Sequence, residues 1–220
     1  MILQNLAPPD PIHPPLSDGQ IRPLWRGLPL PQVLRARPQL AGLLILLMVA
    51  AMALTNWLLG RWLICECGTI ELWAGKGHPD GSSQHIGDWY TPSHLLHGFV
   101  FFFFAWLLVP RWSFRWQLAL ATLVEVAWEV VENMPFIIDR YRQHTVSKDY
   151  NGDTVINSVA DVGIMMVGFY LAARLPWKIS LAIVIGFELL TLWIIRDGLM
   201  LNVLMLLWPI PELAAWQGKS

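Results

Sequence analysis

Five acidic residues lie inside apolar segments of this 220-residue sequence: Glu125, Glu129, Glu132, Asp161 and Glu188. No lysine or arginine lies in the interior of those segments. An ionised side chain at the centre of a bilayer costs about 2.5–3.5 kcal/mol even on permissive insertion scales. Because acids also repel each other at low dielectric, we expect these carboxyls to be protonated, solvated in a cavity or neutralised by a cation. Such a cluster is a candidate functional site.

Helical spacing places three of the glutamates and two histidines on shared faces. Glu125, Glu129 and Glu132 are spaced i, i+4, i+7, which keeps them within about 60° of one another around a helix axis. His94 and His97 are spaced i, i+3 near the start of an earlier apolar segment. The glutamate stripe favours a function, whereas the histidine pair by itself favours hydrogen bonding between helices.

A third polar stripe opens a later apolar segment, where Asp153, Asn157 and Asp161 are spaced i, i+4, i+8. At a rise of about 1.5 Å per residue, Glu132, Asp161 and His97 each lie roughly 9–11 Å from the loop-side ends of their helices. We therefore expect two acids and one imidazole at one level below the same face of the protein.

These residue types are suited to a divalent metal ion. Carboxylates with imidazole favour zinc, manganese or iron, and carboxylates with asparagine favour magnesium or calcium. The spacing matches neither H-E-x-x-H nor the Glu-x-x-His pairs of di-iron bundles, so the identity of the metal stays open. The alternative is that protonated carboxyls and histidines bond neighbouring helices. The candidate metal ligands are His97, Glu129, Glu132, Asp153 and Asp161.

In an enzyme, the same cluster would also supply the catalytic groups, with His94 as a general base. The candidate catalytic residues are His94, Glu129, Glu132 and Asp161. Arg140 and Arg142 follow the glutamates and would hold an anionic group of the substrate, with Asn157 as a further contact. Arginines at the end of a span are also common interfacial anchors, and Asp153 could simply cap its helix.

A C-x-C pair, Cys65 and Cys67, follows the first apolar segment. The pair could form a disulfide, remain as free thiols, or bind a metal together with His78 and His85. Two cysteines are too few for a disulfide framework.

Composition identifies the elements that must position these residues. Hydrophobic residues make up 55% of the chain and charged residues 14%, against about 25% charged in soluble domains. This excludes an ordinary soluble enzyme. The 13 tryptophans are typical of apolar–water boundaries. A net charge of −1 argues against a nucleic-acid-binding surface.

We predict an all-α bundle of five or six transmembrane helices with one structured extracytoplasmic loop, because crossing a bilayer takes about 20 apolar residues. Residues 198–208 are short for a span. Residues 1–38 contain nine of the 16 prolines and predict a disordered or surface-lying cytoplasmic tail. Residues 39–210 form the single transmembrane domain, and residues 211–220 a C-terminal tail. The predicted spans are 40–63, 91–110, 116–138, 154–173 and 179–195.

The bias of lysine and arginine between loops predicts a cytoplasmic N-terminus. With consecutive spans antiparallel, the long loop of residues 64–90 and the loop of residues 139–153 lie on the same extracytoplasmic face.

Two blocks, "CECGTIELWAGKGHPDGSSQHIGDWYTPSHLLHGFVFF" and "EVAWEVVENMPFIIDRYRQHTVSKDYNGDTVINSVAD", resemble a bacterial family of multi-pass inner-membrane proteins catalogued as a domain of unknown function. The resemblance covers about residues 62–174. It implies an inner-membrane location and no particular activity. The segment "GDTVINSVADVGIMMVGF" is similar in style to VanZ-like membrane proteins, which suggests a lipid or cell-envelope role.

Three functions fit these observations. The first is a metal-dependent enzyme that acts on a lipid or polyprenyl phosphate at the outer leaflet. The second is a non-catalytic protein that binds a lipid, a cofactor or a partner in a membrane complex. The third is a small proton-coupled transporter with Glu125, Glu129 and Glu132 as a relay.

Overall fold

The computed structural model describes residues 27, 28, 31, 34, 37–145 and 149–218, which fold into helices without any strand. The predicted tail of residues 1–38 lies almost entirely outside the described residues. The helices in this part of the chain are α1 Gln39–Leu58, α2 Thr91–Leu108, α3 Phe114–Glu132, α4 Pro135–His144, α5 Val155–Arg174, α6 Trp177–Ile195, α7 Leu199–Leu207 and α8 Pro211–Gln217.

Four helices, α1, α2, α5 and α6, are long and apolar enough to cross a membrane. Their outward faces carry exposed large hydrophobic residues such as Leu46 and Leu54 on α1, and Leu189 and Trp193 on α6. Helix α3 has a similar length of 19 residues, but its glutamates separate it from this apolar set. The expected all-α membrane bundle is confirmed, with four candidate spans among the described residues instead of the predicted five or six.

Two predicted boundaries were wrong. The span expected over residues 116–138 is two helices, because Pro135 has no N–H for a continuing helix and holds Met134 in an extended conformation (ψ 143°). The first helix ends at Leu58, and Gly60 follows with a left-handed φ of 84°. The expected C-terminal tail contains α8, which is fixed by a hydrogen bond from Gln217 Nε2 to the Arg196 carbonyl (3.1 Å).

Helices α2 and α5 form the closest packing in the bundle at two glycines. A Cβ on Gly98 would collide with the backbone of Met165 and Phe169, and one on Gly168 would collide with the Leu95 carbonyl. Such close backbone contact is typical of small residues between membrane helices. Because Gly98 follows His97 directly, this contact also fixes the histidines of α2 against α5.

The two long loops are joined on one side of the bundle, as expected. The backbone N–H of Val155 donates to the Trp62 carbonyl (2.8 Å). The Asn157 Nδ2 donates to the His85 carbonyl (2.8 Å), while the Asn157 N–H is capped by Thr154 Oγ1. The start of α5 is therefore fixed to the loop that precedes α2.

The junction of α6 and α7 contains a fully buried carboxyl, Asp197. Its Oδ1 accepts a hydrogen bond from the Gly198 N–H (3.0 Å), and its Oδ2 accepts one from Asn202 (3.3 Å). Burial raises the pKa of Asp197 to about 6, although these hydrogen bonds oppose the shift.

We expect Gly98→Ala to destabilise the protein by about 1–3 kcal/mol, because the new methyl group forces α2 away from α5. Thermal unfolding in detergent measures this change. Gly163→Ala on α5 is the matched control, since a Cβ there meets no atom within 4 Å. Equal unfolding temperatures for Gly98→Ala and the control would contradict the close contact.

We expect Asp197 to make stability depend on pH. Its folded-state pKa of about 6 exceeds the unfolded value of 3.8, so the folded state binds the extra proton between these pH values. The stability that this proton contributes is present at low pH and is lost as the pH rises through about 6. The free energy of unfolding falls by about 3 kcal/mol in total. Unfolding temperatures of wild type and Asp197→Asn, measured from pH 4.5 to 7.5, should therefore diverge with pH. Parallel curves would show that Asp197 does not titrate in this range.

Candidate functional site

Helices α2, α3 and α5 bring acids and histidines from three parts of the sequence into one buried cluster. Helix α2 contributes both histidines near its start, α3 contributes the glutamates of its last two turns, and α5 contributes an aspartate from its second turn. One further aspartate comes from the loop before α5. We call this set the acid–histidine cluster: His94, His97, Glu125, Glu129, Glu132, Asp153 and Asp161.

The histidines converge on two glutamates of α3. His94 Nδ1 lies 2.9 Å from Glu125 Oε1 and 3.4 Å from Glu129 Oε1. His97 Nδ1 lies 2.9 Å from Glu125 Oε2. On its other side, His94 Nε2 lies 3.7 Å from Asp161 Oδ2. Glu125 thus holds both imidazoles, and His94 connects α3 with α5.

Asp153 anchors the loop-side part of the cluster. Its Oδ2 accepts a hydrogen bond from Asn133 Nδ2 (2.7 Å), and its Oδ1 accepts one from the Tyr150 hydroxyl (2.8 Å). Burial raises the pKa of Asp153, against these two hydrogen bonds. Glu132 belongs to the same donor group as Asp153, and the Tyr141 hydroxyl beside them donates to Asn202 Oδ1 (3.0 Å). The turn that Pro135 creates places Asn133 and Tyr141 around these two acids.

Several carboxylate oxygens of the cluster have no hydrogen-bond donor. Both oxygens of Glu129, a fully buried residue, and Oδ1 of Asp161 are unpartnered. Among the residues that the structure describes, no lysine or arginine forms an ion pair with any of these acids. An unpaired buried carboxylate is costly, so a proton or a cation must compensate these charges.

The donor atoms of the cluster fall into overlapping sets that could hold a metal ion. Within each set, one nitrogen or oxygen per residue lies within 4.8 Å of the others. We call two of the sets, which share no residue, the histidine triad (His94, His97 and Glu125) and the acid triad (Glu129, Glu132 and Asp153). A third set links them through His94, Glu129 and Asp161.

A cavity of about 260 Å³ lies directly against the cluster, between α2, α3 and α7. His94 and His97 line it from one triad, and Glu132 and Asp153 from the other. Tyrosine hydroxyls and Asn202 supply further polar groups. The apolar part of the wall consists of Phe101, Val124, Trp128, Leu199 and Val203. The cavity therefore offers a ligand both a polar wall and an apolar wall.

The predicted substrate-binding residues lie elsewhere. Arg140 donates to the carbonyls of Leu206 and Leu207 in α7. Arg142 donates to the Tyr150 carbonyl and to the side chain of Asn151. Asn157 is bonded to the loop before α2 through His85. None of the three lines the cavity, so their predicted contact with a substrate stays a prediction without geometric support.

The ligands predicted from the sequence did not include Glu125. Sequence reasoning also missed Asn133, Tyr141 and Tyr150, which lie around the acids. The i, i+4 spacing of Glu125 and Glu129 was a signal for the first omission. No comparable signal marks the tyrosines, because their role depends on the break at Pro135.

The loop before α2 contains a second, smaller polar cluster. Cys65 and Cys67 form a disulfide. His78 Nε2 faces Glu71 Oε2 at 3.4 Å, and His85 Nε2 faces Asp80 Oδ2 at 3.3 Å. Both Nδ1 atoms accept backbone N–H groups. The Nε2 atoms of both histidines are then the donors, and they face carboxylates. His78 and His85 therefore serve as hydrogen-bonding residues within the loop.

Comparison with known proteins gives a family for the chain. A UPF0314 protein of Paracoccus denitrificans (strain Pd 1222) is 57% identical over 186 residues, which cover 84% of this chain and 94% of that protein. A UPF0314 protein of Sinorhizobium fredii is 52% identical over 170 residues, 77% of this chain and 86% of that protein. One of Agrobacterium fabrum is 48% identical over 178 residues, 81% of this chain and 87% of that protein.

No solved structure matches the chain. The predicted similarity to VanZ-like proteins is not shown by these comparisons, whereas the resemblance to a family of unknown function is confirmed. The family model described as "Protein of unknown function (DUF2585)" matches residues 56–219. With most of its length matched, the chain belongs to the DUF2585 family.

Proposed function

We propose that this protein is a multi-pass protein of the bacterial inner membrane whose acid–histidine cluster binds a divalent metal ion and hydrolyses a lipid or polyprenyl phosphate at the outer leaflet. The observation that carries the proposal is the buried carboxylate of Glu129, which accepts no hydrogen bond from the described residues and whose Oε1 lies 3.4 Å from His94 Nδ1, in a cluster that borders a cavity. Carboxylate and imidazole together are the donor set of zinc, manganese and iron sites.

The charge of the cavity wall favours a metal-dependent reaction over direct binding of an anion. Glu132 and Asp153 line the cavity, and no lysine or arginine is among its described lining residues. A phosphate would be repelled by these acids unless a cation lay between them. A bound metal ion supplies that charge, polarises a phosphoryl oxygen and lowers the pKa of a bound water.

The apolar wall of the cavity fits a substrate with a hydrocarbon chain. Val124 on α3 and Val203 on α7 line the cavity and are 46% and 41% exposed, so apolar surface stays accessible between these two helices. In the proposed function, the lipid bilayer would lie next to this surface. A chain can extend there into lipid while its head group contacts the cluster, because burying each CH₂ group is favourable by about 0.8 kcal/mol.

The orientation of the bundle in the membrane is inferred from the unequal distribution of lysine and arginine between its loops. That bias favours a cytoplasmic N-terminus, and the joined loops then lie outside the cytoplasm. The cavity opens beneath these loops, next to Ser83 and Tyr90. With this orientation, the head group of a lipid in the outer leaflet would lie near this level.

The proposed reaction is the hydrolysis of a phosphate monoester. A water oxygen forms a bond to phosphorus while the bond from phosphorus to the lipid oxygen breaks. One proton of the water passes to the lipid oxygen, so the products are an alcohol and inorganic phosphate. Glu129 and the other acids of the cluster would hold the ion, and the ion would hold the phosphate.

We expect the purified protein, with manganese or zinc in detergent micelles, to release inorganic phosphate from polyprenyl phosphate or phosphatidic acid. Glu129→Gln should lower this rate at least 100-fold, because an amide keeps the shape of the side chain but loses the charge that binds the ion. Chelation with EDTA should have the same effect. Phosphate release is measured colorimetrically.

Glu188→Gln is the control, since Glu188 lies in α6, bonds to the Met200 N–H and lies outside the cluster. It should retain the wild-type rate. A wild-type protein that releases no phosphate from either lipid, with or without metal, would contradict the enzyme and favour the non-catalytic membrane protein. Equal rates for Glu129→Gln and wild type would contradict the assignment of the site.

A further inference from the structure

The cluster has more donor groups than one ion can use. We propose that it is a dinuclear centre in which one divalent ion binds to the histidine triad and a second binds to the acid triad. This proposal rests on the proposed function, because it concerns the same site, but it makes a separate claim about the number of ions. The two triads share no residue, so both can be occupied in the same molecule.

The spacing of the donors fits direct coordination. Metal bonds of about 2.0–2.2 Å place two donors of one ion roughly 3–3.5 Å apart. In the histidine triad, each oxygen of Glu125 lies 2.9 Å from the Nδ1 of a different histidine. In the acid triad, one oxygen from each residue lies within 4.8 Å of the others. Each triad gives three protein ligands and leaves positions for water or substrate.

Charge balance favours two ions over one. The cluster contains five carboxylates and no basic residue among the described positions except its own histidines. With all five carboxylates ionised and both histidines neutral, one divalent ion would leave three negative charges uncompensated, whereas two would leave one. Since several like charges at low dielectric are strongly unfavourable, the second ion relieves the repulsion that the first cannot.

Glu129 lies at the position of a bridging ligand. It belongs to the acid triad, yet its Oε1 is 3.4 Å from His94 in the histidine triad. Both of its oxygens are buried and have no hydrogen-bond donor. A carboxylate with two free oxygens between two donor sets can bind one ion with each oxygen, and paired ions in such sites are about 3.5–4 Å apart.

Asp161 is positioned to orient the ring of His94. When His94 Nδ1 binds an ion, its Nε2 carries the proton, and Asp161 Oδ2 lies 3.7 Å from that nitrogen. Histidine ligands usually donate their second N–H to a carboxylate, which fixes the ring and its tautomer. In this arrangement His94 acts as a ligand, and a metal-bound water takes the place of the general base predicted from sequence.

The cavity contacts both triads at once. His94 and His97 line it from the histidine triad, and Glu132 and Asp153 line it from the acid triad. The remaining members, Glu125 and Glu129, lie behind them and are fully buried. A phosphate in the cavity can therefore place one oxygen on each ion, as in phosphatases with paired metals.

The experiment counts manganese ions on the tag-free protein in detergent. After loading with Mn²⁺ and removal of free metal, elemental analysis should give two ions per wild-type chain, and electron paramagnetic resonance should show an exchange-coupled pair. His97→Gln and Glu132→Gln each remove one ligand from a different triad. Each should lower the count to about one and abolish the coupled signal.

Two controls keep the count specific. His78→Ala changes the separate cluster of the loop, and Glu188→Gln removes an acid outside the site, so both should retain two ions. Gel filtration and the unfolding temperature confirm that each variant is folded. If Glu132→Gln unfolds, Tyr141→Phe replaces it, because Tyr141 lines the cavity beside Glu132 and Asp153 and loss of its hydroxyl should weaken only the second ion.

The outcomes separate this proposal from the proposed function. One uncoupled ion in the wild type would overturn the dinuclear centre, while metal-dependent phosphate release would still support the enzyme. Two coupled ions without phosphate release from any lipid would support the dinuclear centre and overturn the reaction. No bound ion would overturn both.

Discussion

The grouping of five carboxylates at one site is the constraint on which the rest of this structure depends, because no lysine or arginine among the described residues forms an ion pair with them. Two histidines face them, and both contact the same glutamate, Glu125. The remaining negative charge must be compensated by protons or by cations from outside the chain. The cavity borders this cluster, and the turn after α3 brings Asn133 to Asp153. The packing of the loop side and the charge of the candidate site therefore depend on the same acids.

The loop side of the bundle is built to hold the acids in place. Asp153 receives hydrogen bonds from Asn133 and Tyr150, which come from the turn after α3 and from the loop before α5. Arg140 and Arg142 were predicted to contact an anionic ligand. They donate instead to the backbone carbonyls of Leu206 and Tyr150 near the site. Their role is to fix α7 and the loop, which gives the cavity a defined wall.

The sequence was sufficient to predict the helical class and most members of the site. Helical spacing alone put Glu125, Glu129 and Glu132 on one face, and helix rise placed His97 and Asp161 near the same level. Two features were beyond such reasoning. The position of a residue along its own helix does not show how neighbouring helices are shifted relative to one another. The direct contact of Glu125 with both histidines could therefore not be predicted. The positions of the α4 side chains depend on the break between two helices at Pro135, and their partners are distant in sequence.

The contact between Gly98 and Gly168 has a consequence for the geometry of the cluster. Gly98 follows His97, and the Leu95 carbonyl that approaches Gly168 lies between the two histidines of α2. The distance between the two backbones therefore sets how far His94 stands from Asp161 on α5. Because packed helices do not adjust continuously, this separation is held at a defined value. Two residues that have no side chain thus set the spacing of a site that consists of charged and polar ones.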